Sequence, residues 1–144
     1  MTKNTAVVDA SLALKWVLNE ELSREARALA GQWRDAGVSV VAPHFLMAEA
    51  ANTLHRWVLR GALLRREAFA LLESLIEGDI GFLWVPGLSQ RALSIAAQFN
   101  QGAVYDAHYL ALAEALDCEM WTADARFFRA MRGEFEQVRL LGEE

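Results

Sequence analysis

Thr5-Ala6-Val7-Val8-Asp9-Ala10-Ser11-Leu12-Ala13-Leu14 sets the frame for the rest of the chain. A short β-type run, rich in β-branched residues, ends on a single aspartate, and a helical pattern begins directly behind it. The same alternation recurs to the C-terminus. Strands are expected at Thr5–Val8, Val38–Val41, Gly81–Val85, Glu119–Thr122 and Gln137–Leu141. Helices are expected at Ala10–Leu18, Glu21–Asp35, His44–Arg60, Arg65–Glu77, Ser89–Phe99, Tyr105–Leu116 and Ala125–Met131. In the second of these, Leu22, Ala26, Leu29, Ala30 and Trp33 recur at helical spacing and Gly37 stops the run. Pro43 and Pro86 end strands, Gly61 closes a helix, and Asn100-Gln101-Gly102 reads as a loop. Strands alternating with helices of ten or more residues imply an α/β domain with a largely parallel sheet. In such sheets ligands sit at the carboxyl ends of the strands, which is where chemistry should be sought.

The chain has 144 residues, the size of one domain, and no linker or repeat divides it, so residues 1–144 are read as a single domain. Hydrophobic residues make up 54% and charged residues 23%, which excludes a disordered or fibrous chain. A lone cysteine, Cys118, excludes a disulfide scaffold and fits a reducing compartment. The start carries only Lys3 before a short apolar run, unlike a signal peptide, and no uncharged apolar stretch is long enough to span a bilayer. A cytoplasmic, non-membrane protein is expected. Net charge is −5, which argues against broad charge-driven binding of nucleic acid. Yet 12 of the 14 basic residues are arginine, clustered at Arg56, Arg60, Arg65, Arg66 and at Arg126, Arg129, Arg132. Arginine suits bidentate phosphate contact, but solvated helix faces would look the same, and composition does not decide.

Most acidic residues fall on polar faces or in loops; four do not. Asp9 closes the first strand. Glu49 lies in Phe45-Leu46-Met47-Ala48-Glu49-Ala50-Ala51, which has no other charge. Asp106 opens the most apolar helix, and Asp124 follows the strand Met120-Trp121-Thr122. Asp9 and Asp124 could cap the next helix, and Asp106 could favour its helix dipole. Glu49 is harder to dismiss, because a carboxylate in apolar surroundings must be paired or bind a metal. Three of the four sit at the strand-to-helix edge assigned to ligands. Gathered carboxylates resist ionisation unless a cation holds them, and hard oxygen donors point to Mg²⁺ or Mn²⁺ rather than zinc.

Val7-Val8-Asp9-Ala10-Ser11, Ala42-Pro43 followed by Glu49-Ala50-Ala51-Asn52, Tyr105-Asp106-Ala107 with Tyr109-Leu110-Ala111-Leu112-Ala113, and Thr122-Ala123-Asp124 together resemble the signature blocks of the PIN domain. The nearest likeness is to the small VapC-type toxins, the ribonuclease halves of toxin–antitoxin pairs, and it runs from Val7 to about Phe128. The resemblance implies a three-layer α/β/α sandwich with a mainly parallel central sheet and an endoribonuclease site dependent on Mg²⁺ or Mn²⁺. It implies catalytic roles for Asp9, Glu49, Asp106 and Asp124, with Asp9, Asp106 and Asp124 as metal ligands. It also implies an RNA substrate and a cognate antitoxin.

Such residues suit phosphodiester hydrolysis on their own terms: a carboxylate-held cation activates water and neutralises the developing charge, with no covalent nucleophile. Ser11, Asn52 and Thr122 are supporting candidates, for a metal water or phosphate, for the groove, and for orienting Asp124. Lys15 could reach phosphate, with a plain surface role as the alternative. His44, His55 and His108 are not spaced as a zinc set and read as structural or surface residues. The five tryptophans could stack bases but suit a core or subunit interface. Phe45, Leu46, Trp57, Leu59, Leu63 and Leu64 exceed what one side of a sheet needs, so a homodimer or higher homo-oligomer, or a partner groove, is expected.

A phosphate-accepting receiver domain would need an aspartate after Gly81–Val85. A dinucleotide fold needs glycines where Asp9-Ala10-Ser11 stands, and a haloacid-dehalogenase-type phosphatase needs an aspartate at Ser11. The remaining alternative is a catalytically silent PIN-like module that binds RNA or protein.

Overall fold

Asp9 is the hinge between strand β1 (Thr5–Val8) and helix α1 (Ala10–Val17) in the computed structural model, which describes residues 4–100 and 104–143. Lys3, Gln101, Gly102 and the last residue of the acidic tail lie outside the described residues. The chain continues through α2 (Ser23–Ala36), β2 (Ser39–Ala42), α3 (Leu46–Leu59), α4 (Arg65–Ile76) and β3 (Ile80–Phe82). It ends with α5 (Leu88–Gln98), α6 (Tyr105–Leu116), β4 (Glu119–Thr122), α7 (Ala125–Met131) and β5 (Val138–Leu140).

All five strands are parallel, in the order β3-β2-β1-β4-β5. Val7 pairs with Val41 on one side and Met120 on the other, so β1 is the buried centre of the sheet. The first two crossovers step toward the β3 edge; the third jumps back past β1 to β4. Because such crossovers are right-handed, that reversal puts α1–α4 on one face and α5–α7 on the other. The packing agrees: α1 meets α2, α3 and α4, whereas α6 pairs with α5 and lies on β1 and β4. The result is the expected three-layer α/β/α sandwich. The direction of winding reverses between β1 and β4, and a crevice opens there at their carboxyl ends.

One continuous cluster of apolar side chains fills both interlayer spaces. α6 is its most deeply set helix, buried at every position from Ala107 to Ala113. That explains an apolar pattern with little sidedness: a helix packed on a sheet and on α5 has no broad wet face.

Several boundaries differ from the sequence reading, among them those of β3, α2 and β2. β3 stops at Phe82 instead of Val85: it is an edge strand with β2 as its one neighbour, its last backbone bond runs from Leu83 N to Ala42 O, and Pro86 has no N–H to continue. α2 begins at Ser23 rather than Glu21, because Leu22 takes a left-handed turn at φ 69° with no glycine to announce it. β2 starts one residue later than expected, at Ser39. Of the apolar excess assigned to a subunit contact, Leu46 is fully buried and belongs to the core, while Leu59 and Leu64 are exposed.

Candidate active site

The crevice between β1 and β4 is stitched together by side chains. Asp9 caps α1, its Oδ1 accepting from Leu12 N at 3.0 Å and from Ser11 Oγ at 2.7 Å. Its Oδ2 accepts a short hydrogen bond from Thr122 Oγ1, at the end of β4. Thr122 Oγ1 in turn accepts from Asp124 N at 3.0 Å, and Ser11 Oγ accepts from Ala123 N at 3.1 Å. Ser11 and Thr122 thus join the two strand ends and fix Asp9 and Asp124 relative to each other. Asp124 caps α7 through Oδ1, which accepts from Arg126 N and Phe127 N. The capping reading of Asp9 and Asp124 is therefore correct as far as it goes. It does not exhaust them, because a cap uses only one carboxylate oxygen.

Glu49 comes from α3 and Asp106 from the first turn of α6. All four carboxylates line one cleft of about 680 Å³, together with Ser11, Asn52, Arg56, Phe45 and Tyr105. Thr122 is fully buried beneath it. Asn52 and Arg56 lie one and two turns along α3 from Glu49, on the same face of the helix. A larger recess of about 910 Å³ opens at the amino ends of β2 and β3, with Trp16, Trp33 and Arg34 in its wall. It contains none of the four carboxylates, so size is a poor guide to chemistry here.

Glu49 is held by a residue that sequence reading passed over. Tyr109 Oη donates to Glu49 Oε1 at 2.5 Å, and its ring is fully buried. A phenol in an apolar helix needs an acceptor, and a carboxylate in an apolar helix needs a donor. Those two unmet needs were the available signal. The other supporting candidates divide. Lys15 Nζ donates to Glu20 Oε1 and Glu21 O, and Lys15 is not among the residues lining the cleft. His108 is buried, with Nδ1 against Val104 O and Nε2 against Ser89 Oγ, a structural placement as expected.

Electrostatics record the crowding. Burial pushes Asp9 up from 3.8 to about 7; bonds from Thr122, Ser11 and Leu12 oppose this, and the Asp106 charge adds to it. Burial likewise raises Glu49, with Tyr109 opposing and Asp106 adding. Asp106 is raised by burial and then by Asp124. Such a set is short of positive charge. Its donors are all oxygen, which fits a hard divalent cation. Among the described residues, no three acidic, histidine or cysteine side chains are already gathered as a ready metal cluster. Both Asp9 oxygens accept hydrogen bonds, whereas among the described residues none reaches the carboxylate of Asp106, Asp124 Oδ2 or Glu49 Oε2.

The PIN domain family model matches residues 6–133 of the chain. Ribonuclease VapC9 of Mycobacterium tuberculosis is 36% identical over 120 residues, covering 83% of this chain and 86% of that protein. VapC ribonuclease Mb0985 of Mycobacterium bovis matches to the same extent. Among solved structures, PAE2754 from Pyrobaculum aerophilum superposes with a TM-score of 0.65 at 21% identity, covering 90% of this chain and 87% of that one. This last likeness speaks for the fold.

Proposed function

The chain belongs to the PIN domain family, and from that premise we propose that it is an Mg²⁺- or Mn²⁺-dependent endoribonuclease, the toxin of a toxin–antitoxin pair. One observation carries the reading. Four carboxylates from four separate elements line a single cleft at the point where the sheet reverses its winding. Structure alone gives no reason to bury like charges together there, since burial, with the neighbouring acids adding to it, raises three of the four in pKa.

In this reading Asp106 and Asp124 hold the cation with Asp9, and Ser11 and Thr122 keep Asp9 aligned. A divalent cation bound there would lower the pKa of water and neutralise charge on the phosphate. Glu49, with Oε1 held by Tyr109, keeps Oε2 for orienting the attacking water and accepting its proton. Asn52 and Arg56 face the substrate from α3. No side chain serves as a covalent nucleophile.

The same reading gives the protein an RNA substrate, a cognate antitoxin and a homodimeric or larger assembly, with residues 1–144 as one domain in the cytoplasm. Exposed Leu59, Leu64, Phe69 and Ile76 on and beside α3 and α4 support a protein partner. Among the described residues, no helix is long and apolar enough to cross a membrane.

The test is incubation of the purified protein with total cellular RNA in Mg²⁺, Mn²⁺ or EDTA, beside Asp9→Asn and Asp106→Asn. Discrete cuts that need metal and vanish in both variants are expected. Cutting that survives both substitutions, or a folded, metal-supplied wild type that cuts nothing, overturns the proposal. In the second case the silent binding module takes its place.

A further inference from the structure

Helices α3 and α6 bring Glu49 and Asp106 to one cleft, yet they lean on different neighbours. α3 packs on α1 and α4, whereas α6 packs on α5, β1 and β4; among the described residues the two helices share no interface of that extent. Backbone packing therefore does not fix how Glu49 stands relative to Asp106. Side chains that cross from one helix to the other must do so. One is Tyr109, through its bond to Glu49 Oε1. The other is Phe45.

Phe45 sits at the amino end of α3, and its carbonyl accepts from Glu49 N at 3.0 Å, so ring and carboxylate belong to one helical turn. The ring reaches α6 and meets three side chains there: Tyr105 at 5.4 Å and 69°, His108 at 5.2 Å and 88°, and Tyr109 at 5.5 Å and 87°. Trp84, in the segment after β3, adds a fourth contact at 6.2 Å and 78°. All four are edge-to-face, a geometry that aromatic quadrupoles favour. Asp106 lies between Tyr105 and His108 in the chain. The α6 side of this contact is firmly held. Tyr109 is fully buried, and His108 is fixed between Val104 O and Ser89 Oγ. Phe45, by contrast, is half-buried and lines the cleft itself. It is a strut between a deeply set helix and the turn that carries Glu49.

We infer that Phe45 is a positioning residue: its ring fixes the first turn of α3 against α6, and so keeps Glu49 on Tyr109 and in register with Asp106. Truncating the ring opens space beside a polar cleft, and water entering it competes with Tyr109 for Glu49. Glu49 then loses its orientation, while Asp9, Asp106 and Asp124 keep theirs on other elements. The structural part of this inference stands without any reaction. Its kinetic part rests on the role given to Glu49 in the ribonuclease reading.

The chain has two tyrosines, which makes a direct test possible. With tyrosine labelled by carbon-13 at Cζ, NMR gives one signal for Tyr105 and one for Tyr109, assigned with Tyr109→Phe. Both rings touch Phe45, but it is Tyr109 that donates to Glu49. Loss of the Phe45 ring current displaces both signals slightly; loss of the hydrogen bond displaces Tyr109 further. In Phe45→Ala the Tyr109 signal is expected to move most of the way to its position in Glu49→Ala, and the Tyr105 signal far less. Phe45→Leu, which keeps an apolar side chain without a ring, moves Tyr109 in the same direction and takes over if the alanine variant does not fold. In cleavage of a defined RNA, Phe45→Ala lowers kcat about 10-fold with KM unchanged. It adds no loss in the Glu49→Ala background, because residues acting through one group are not additive. A Tyr109 signal that moves no more than that of Tyr105 overturns the inference. So does the same loss of kcat with and without Glu49, which reduces Phe45 to packing. A wild type that cuts nothing, with Tyr109 displaced as expected in Phe45→Ala, fails the ribonuclease reading alone. A wild type that cuts, with Tyr109 unmoved in Phe45→Ala, fails this inference alone.

Discussion

Glu49 and Tyr109 stand 60 positions apart in the chain and meet through one short hydrogen bond. Removing the phenol tests what that bond does. Tyr109→Phe keeps the ring in its pocket and frees Glu49 Oε1. Turnover is expected to fall about 10- to 100-fold with KM unchanged, as for other groups that orient a catalytic carboxylate. Stability should fall by only about 1 kcal/mol, the net worth of one hydrogen bond. Steady-state cleavage of a defined RNA and a urea midpoint separate the two effects; unchanged turnover would reduce Tyr109 to packing. Asp9 supports a pH prediction. Its native pKa of about 7 lies above its unfolded value near 3.8, so between these pH values the native state binds more protons than the unfolded one. Stability from this group is therefore complete below about pH 4 and is lost as pH rises through 7, by about 4 kcal/mol in all. Metal-free protein should lose melting temperature across that window, and Asp9→Asn should flatten the curve. Added Mg²⁺ should restore stability at pH 7 and above; a rise of melting temperature with pH in the metal-free protein would contradict the burial of Asp9. The four acids were legible in the sequence because each interrupts an apolar or strand-end context. Tyr109 and Arg56 were not singled out, because a tyrosine in an apolar helix and an arginine in a cluster both look ordinary until the fold supplies their neighbours.

At the scale of elements, the strength of the sequence signal follows the number of constraints on each segment. β1, α6 and β4 were read with their observed ends, and each is held by neighbours on two or more sides. β3 was read too far at its C-terminal end because its apolar run continues through Leu83, Trp84 and Val85, while only the sheet edge decides where pairing stops. The start of α2 was missed because the signal is conformational: Leu22 is left-handed, and buried Ser23 holds the turn by donating to Leu18 O and accepting from Glu20 N. α6 carries the corresponding stability prediction. Leu110 is fully buried in a helix that touches both central strands. Leu110→Ala should cost about 2–5 kcal/mol, lost apolar transfer plus the cavity left behind. Chemical denaturation reads it; a loss below about 1 kcal/mol would mean that α5 and the sheet collapse into the gap.

For the whole molecule, the order β3-β2-β1-β4-β5 explains why residues scattered from Asp9 to Asp124 share one cleft: the reversal between β1 and β4 opens a crevice that α3 and α6 then flank. This global step was legible only as a rule about parallel sheets; the four acids stood out by their own contexts, and the family likeness joined them into one expected site. Charge is the property that composition left undecided. The arginines of α4 and α7 are either a track for the RNA backbone or solvated faces of an acidic protein, and salt dependence distinguishes them. Each phosphate neutralised on a single strand contributes about −0.7 to the slope of log affinity against log salt. With Arg56 alone in the cleft, the slope for single-stranded RNA should be no steeper than about −1.5, and Arg56→Gln should make it shallower by about 0.7. A track through Arg65, Arg66, Arg126, Arg129 and Arg132 would instead give about −3 or steeper, and Arg56→Gln would remove only a small part of it. The shallow slope is the expected outcome, because a chain of net charge −5 offers the backbone a single arginine in the cleft lining among the described residues. A steep slope would instead make both arginine clusters part of the RNA-binding surface.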